Sequence, residues 1–258
     1  MINDQMRMLS HDLRLFGVHA GFEARAAQAA SQGLNHLEFL RLVLEDEVLQ
    51  RKERVAKALT TKAKFRSLAN LEDWDQSFER GLTKLKLREV TVLSFLQSNE
   101  NLLIFGKTGE GKTHLAVAIG RRLCSESIST LFLSVNFLFE EVLAAKAAGR
   151  YLNYIKRLTQ SRALILDDFG LRNYTHEEAN VLVDLLEDRH RKGSVIVTSQ
   201  VDPRGWQKLF EDPIIAEAIV NRLEYPSQRI NLKGGSYRDK LQSPLPAGKK
   251  LVNKEVLI

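Results

Sequence analysis

Apolar residues recur at helical spacing through the first sixty positions. Leu9, Leu13 and Phe16 form one stripe, and Leu37, Leu40, Val43, Leu44, Val48, Val55 and Leu59 form a second. No proline interrupts this stretch, and only Gly17, Gly21 and Gly33 punctuate it, which predicts helices over 4–16, 21–32 and 36–63. Positions 67–99 are mixed: Leu71, Trp74 and Phe78 read as packing residues of a connecting segment, and a helix is expected over 84–97.

From Asn101 the pattern changes to short, fully apolar runs separated by helical stretches. The runs 101–105, 130–134, 163–167, 194–199 and 228–232 read as buried parallel strands. Thr175-His-Glu-Glu178 is a capping box; Ala179, Leu182, Val183 and Leu186 form the buried stripe of the helix it opens, and Gly193 is expected to close it. Strand and helix in alternation predict an α/β fold, a doubly wound parallel five-stranded sheet behind a small all-helical N-terminal domain. The expected division is a helical DNA-binding domain at 1–66, an ATPase domain at 67–240 and a flexible Gly/Pro/Lys-rich tail at 241–258.

Composition changes little in this picture. With 44% hydrophobic and 27% charged residues the 258-residue chain reads as globular. It carries no apolar run long enough to span a bilayer and no secretory pattern, so a cytoplasmic protein away from membranes is expected. The single cysteine, Cys124, reads as a small apolar residue on the helix after 105. Charge matters through its location. Arg51, Lys52, Arg54, Lys57, Lys62, Lys64 and Arg66 face only Glu53 between 50 and 66, while the rest of the chain is balanced. This block suits a nucleic-acid backbone, and equally a solvated helix face. A second stretch, 146–162, interleaves Lys146, Arg150, Lys156, Arg157 and Arg162 with Tyr151 and Tyr154, and carries the same two readings.

The chemistry begins at Gly106-Lys107-Thr108-Gly109-Glu110-Gly111-Lys112-Thr113-His114. It satisfies G-x-x-x-x-G-K-S/T between a predicted strand and a predicted helix. Its glycines let backbone N–H groups wrap a β-phosphate at a helix N-terminus; Lys112 is expected on the β/γ-phosphates and Thr113 on Mg²⁺. ATP and Mg²⁺ are therefore the expected cofactors. Asp167-Asp168 ends the apolar strand Leu164-Ile-Leu, at the sheet edge where ligands bind. Asp167 is expected to hold the metal through water, and Asp168 to orient the attacking water, whereas aspartates that only begin a turn would need no such partner loop. The strand 194–200 ends in Thr198, Ser199 and Gln200, any of which could sense the γ-phosphate; Ser199 is taken as the candidate.

Together the phosphate loop, Asp167-Asp168-Phe-Gly-Leu171, the strand end VTSQ, the block NRLEYPSQRINLKGGSYR from Asn221 to Arg238, and LEFLRLVLEDEVLQRKERVAKAL in the helical region resemble the IstB family. These are AAA+ ATP-binding helpers of insertion-sequence transposases, in the clade that also holds the helicase loader DnaC. The resemblance runs from residue 1 to about 240. It implies an ATPase that oligomerises on duplex DNA without sequence preference, remodels it, and recruits and stimulates its transposase. It also implies that Arg222 is an arginine finger acting on a neighbouring subunit, with Arg189 a weaker candidate, and that Arg238 senses its own subunit's nucleotide. Asp168 departs from the Glu of most AAA+ proteins. The alternative is a DnaC-like loader binding single-stranded DNA; a monomeric P-loop kinase is disfavoured by the lack of a recognisable substrate lid.

Overall fold

The computed structural model describes residues 2–237, so the expected tail and Arg238 lie outside the described residues. Three helices come first: α1 (Ile2–Asp12), α2 (Phe16–Gln32) and α3 (His36–Ala63). The expected helix 4–16 is thus cut after Asp12, where Arg14 takes a left-handed φ of 55°, and α2 starts five residues before its expected position. Two contacts invisible to a linear pattern explain the shift. Glu47 of α3, almost fully buried, accepts hydrogen bonds from Gly17 N and Val18 N, capping α2 from another helix. Gly17 is a packing glycine, not a break: a Cβ there would stand 2.4 Å from Asp46 O on α3.

A 3-10 turn (Leu71–Asp73), α4 (Lys84–Thr91) and α5 (Ser94–Gln97) follow; the helix expected over 84–97 breaks at Leu93, where φ is 60°. The rest alternates as β1 (Asn101–Phe105), α6 (Lys112–Ser125), β2 (Thr130–Ser134), α7 (Val135–Ala147), α8 (Tyr151–Gln160), β3 (Ala163–Phe169), α9 (His176–Arg189), β4 (Ser194–Ser199), a 3-10 segment (Pro203–Leu209), α10 (Pro213–Glu224) and β5 (Ser227–Asn231). The sheet is parallel throughout, ordered β2-β3-β4-β1-β5, so the fold is the expected α/β one. Alternate strand residues feed opposite faces. Leu103, Leu164, Leu166, Val195 and Val197 pack under α7 to α10, while Leu102, Ile104, Ile165 and Ile196 pack under α4 to α6.

Two strand ends differ from expectation. β3 runs on through Asp168 to Phe169, and β5 lies one residue earlier than 228–232. Gly193 does not supply the helix-ending conformation, which falls to Arg191 at φ 58°; it is a close-approach glycine, with a Cβ position 2.9 Å from Arg162 O. The C-terminal half of α3 lies along α6, where Ala63 is buried and Phe65 fills the space left by Gly120. With β1 between β4 and β5 and β3 next to β4, the loops after β1 and β3 open at one edge, around one cleft.

Candidate nucleotide site

The loop after β1 is shaped by its glycines. Gly109 and Gly111 sit at φ 86° and 96°, values a side chain would strain, and α6 starts directly at Lys112. The first N–H groups of α6 have no helical partner and face a cavity of about 280 Å³ lined by loop residues 108, 109 and 111 to 114, with Asp73, Arg80, Asp168, Gln200 and Tyr237. Lys112 Nζ donates to Lys107 O at 2.8 Å, keeping the ammonium folded over the loop. Glu110 differs from the other loop residues: it is buried, and its carboxylate accepts from Lys107 N at 2.6 Å and Gly234 N at 3.1 Å. Its side chain therefore braces the loop and does not face the cavity.

Asp167 is fully buried. Its Oδ1 accepts from Thr113 Oγ1 at 2.8 Å and Thr198 Oγ1 at 2.5 Å, joining the loop after β1 to the ends of β3 and β4. Its Oδ2 is buried with no hydrogen-bond partner among the described residues. Burial pushes the Asp167 carboxyl above its ordinary range, and the Asp168 charge adds to this. A divalent cation answers that arrangement: a hydroxyl beside a carboxylate with one uncommitted oxygen suits Mg²⁺, which takes one or two protein ligands and draws the rest from water and phosphates. Asp168 is half-exposed at the cavity wall, with φ 62°, and Arg66 Nη1 stands 4.0 Å from its Oδ2.

The strand-end candidates separate cleanly. Ser199 is a correction: its hydroxyl donates to Phe169 O at 2.7 Å and accepts from Val201 N and Trp206 Nε1, on the packed side away from the cavity. Thr198 holds Asp167 and also accepts from Asp168 N. Gln200 is the residue in the cavity, its Oε1 accepting from Thr108 Oγ1 at 2.8 Å. Arg189 is also corrected. It is buried, and its guanidinium donates to Leu158 O, Ser161 O and Ser194 O, tying α8 and β4 together.

Arg222 lies at the opposite end of the sheet. Its carbonyl accepts from Asn101 Nδ2 at the first residue of β1, and its guanidinium pairs with Glu187. β1 is five residues long, about 17 Å, so Arg222 faces away from its own phosphate loop.

The basic residues are distributed unequally. Arg51 is paired with Glu47 at 2.6 Å and Arg54 lies over the Phe16 ring, while Lys52 flanks exposed Leu44 and Val48 on α3. Lys57 borders a groove with Arg121 and Arg122 of α6. Lys62, Lys64 and Arg157 line one hollow, so the two basic stretches, far apart in sequence, meet there. Arg150, which precedes α8, and Lys156 within it are exposed.

Sequence reasoning missed the segment from Asp73 to Arg80 as part of the cleft. Its only signal was an arginine close to Trp74 and Phe78; Arg80 lies over the Trp74 ring at 3.6 Å.

The IstB-like ATP binding protein family matches residues 8–244. An insertion sequence IS21 ATP-binding protein from Pseudomonas aeruginosa is 33% identical over 234 residues, 91% of this chain and 88% of that protein. An insertion-sequence ATP-binding protein from Mycobacterium tuberculosis is 32% identical, over 90% of this chain and 93% of its own. Among solved structures, the DnaC helicase loader aligns with a TM-score of 0.54 at 21% identity, over 64% of this chain and 97% of that one. AMPPCP-bound DnaA from Aquifex aeolicus aligns with a TM-score of 0.56 at 18% identity, over 69% and 54%. At these identities the two structures share the AAA+ P-loop fold with this chain.

Proposed function

The chain belongs to the IstB-like ATP-binding family, and from that premise we propose that it is a Mg²⁺-dependent ATPase that assembles on duplex DNA and brings a transposase to it. The observation that carries the ATPase reading is the junction of Thr113, Asp167 and Thr198 beneath the phosphate loop, with one buried Asp167 oxygen uncommitted. Thr113 and Asp167 would hold the cation, which supplies charge neutralisation on the phosphates. The α6 N-terminus and Lys112 bind and orient the phosphate chain. Asp168 would accept a proton from the attacking water, with Gln200 the strand-end group in reach of the γ-phosphate. Arg222, at the end of the sheet away from its own phosphate loop, suits delivery into a neighbour's cleft.

DNA is the expected template because the two basic stretches converge at Lys62, Lys64 and Arg157. No described helix is long and apolar enough to cross a membrane, and the relatives are named for insertion sequences.

The test is a set of variants assayed alone and mixed. Lys112→Ala should lose ATP binding and ATP-dependent assembly. Arg222→Ala should bind ATP but hydrolyse it slowly, and mixing the two should restore hydrolysis at mixed interfaces. ATP affinity unchanged in Lys112→Ala removes the nucleotide reading, and no restoration between folded, assembling proteins removes the finger. Competition of single-stranded against duplex DNA separates the transposition helper, which prefers duplex, from a helicase loader.

A further inference from the structure

We propose that Arg80 is an additional nucleotide ligand, binding the phosphates that ATP and ADP share; this rests on the ATP reading above. Three observations carry it. First, the guanidinium is deeply buried yet under-committed: Arg80 is 4% exposed, Nη2 donates to Asp75 O, and Nε has no hydrogen-bond partner among the described residues. The nearby Asp75 carboxylate already accepts from the Ser77 and Tyr237 hydroxyls. Burial outweighs Tyr237 and Asp75, which favour the charged guanidinium, so its charge is only partly compensated and an added phosphate would complete it.

Second, the group is held flat. It lies 3.6 Å from the centroid of the Trp74 ring and 4.5 Å from that of Tyr237, a stack that fixes the plane of the guanidinium and leaves its edge to bind. Third, that edge faces the phosphate loop. A Cβ on Gly111 would stand 2.8 Å from Arg80 Nη1, and Gly111 immediately precedes the α6 N-terminus that opens on the same cavity. Arg80's charge also helps hold His114 below its ordinary pKa, after burial, so its field reaches the far side of the loop.

The direction of approach selects the phosphates. Asp167, Asp168, Thr198 and Gln200 come from the β3 and β4 ends, where the γ-phosphate is handled. Arg80 comes from the Gly111 and His114 side, next to the part of the chain that survives hydrolysis. Guanidinium pairs with phosphate through two parallel hydrogen bonds, and the free edge here suits that geometry. A purely structural stack would not need Nη1 turned toward the phosphate loop at Gly111.

Full-length protein with Arg80→Met, which keeps the stem and removes the charge, should bind ATP and ADP more weakly by a similar factor, roughly tenfold or more. Its KM for ATP should rise in step while turnover at saturating ATP changes by about twofold at most. Arg80→Lys keeps the charge but loses the flat face, should fall between the two, and serves as the test if Arg80→Met does not fold; melting of the nucleotide-free proteins reports folding. Wild-type affinity in a folded Arg80 variant would show a packing role only, tighter binding would show that the guanidinium obstructs the site, and lost turnover with unchanged affinity would place it on the γ-phosphate; each overturns the proposal. Lys112→Ala in the same titration separates these results from failure of the ATP reading itself, since only there would loss of the phosphate loop leave binding intact.

Discussion

Asp168 is the extra residue of a β-bulge: Leu166 pairs with Val197 and Phe169 with Ser199, so three steps on β3 match two on β4, and Asp168 takes φ 62°. A short, polar side chain tolerates that conformation better than a longer one, which gives a backbone reason for Asp where AAA+ proteins commonly carry Glu. Asp168→Glu is expected to cost about 0.5–1 kcal/mol in chemical denaturation with ATP binding retained. Asp168→Asn should keep fold and ATP affinity and slow hydrolysis about a hundredfold or more in a steady-state assay. The bulge also explains what could be read from the sequence here. The phosphate loop and the paired aspartates are contiguous signals, whereas the choice among Thr198, Ser199 and Gln200 depends on a register shift in a different strand.

At the scale of elements, local capping was legible and capping from a distance was not. The box Thr175/Glu178 closes as its spacing implies and opens α9, and α3 begins where expected, behind a second box, Asn35/Glu38, that the structure adds. The start of α2 depends on Glu47, thirty positions from Gly17. Gly17→Ala should therefore force α2 off α3 and destabilise the chain by about 1–3 kcal/mol, measured by denaturant titration. The α9 cap carries a pH signature. Hydrogen bonding from Arg172 holds the Glu178 carboxyl below its ordinary range, so its stabilisation is present above that range and is lost as pH falls through the lowered value. Glu178→Gln should be less stable than wild type at neutral pH by about 0.5–1 kcal/mol, modest because Arg172 is partly solvated, and the two melting curves should converge on acidification.

For the whole molecule, the class of fold followed from alternating apolar runs, while the assembly of the basic surface did not, because it needs α3 laid across α6 and β2 so that residues 62 and 64 reach Arg157. Part of the charge in the first basic block is already engaged by Glu47 and Phe16. Reversing Lys62, Lys64 and Arg157 to Glu should then reduce the salt dependence of duplex binding more than reversing Arg51, Lys52 and Arg54, against a ceiling of roughly 0.9 in slope for each DNA phosphate that is no longer neutralised. A larger drop with the second triple would move the DNA path along α3 to the stretch around Arg51–Arg54.

Arg222 and the phosphate loop stand at opposite ends of β1, so a contact that joins one to the other is head-to-tail and leaves both groups unused at its termini. In a linear array one cleft in the series goes unserved whatever the length, which makes short arrays disproportionately slow per subunit and lets activity climb toward a plateau as they lengthen. If Arg222 is the proposed finger, the two termini also differ chemically: one carries a cleft that no neighbour's Arg222 reaches, the other an Arg222 with no neighbouring cleft to enter. If ATP drives assembly on DNA as proposed, such an array would grow with a polarity set by ATP, and duplexes of increasing length should reveal it as a rising specific activity, whereas a closed ring would show one constant value.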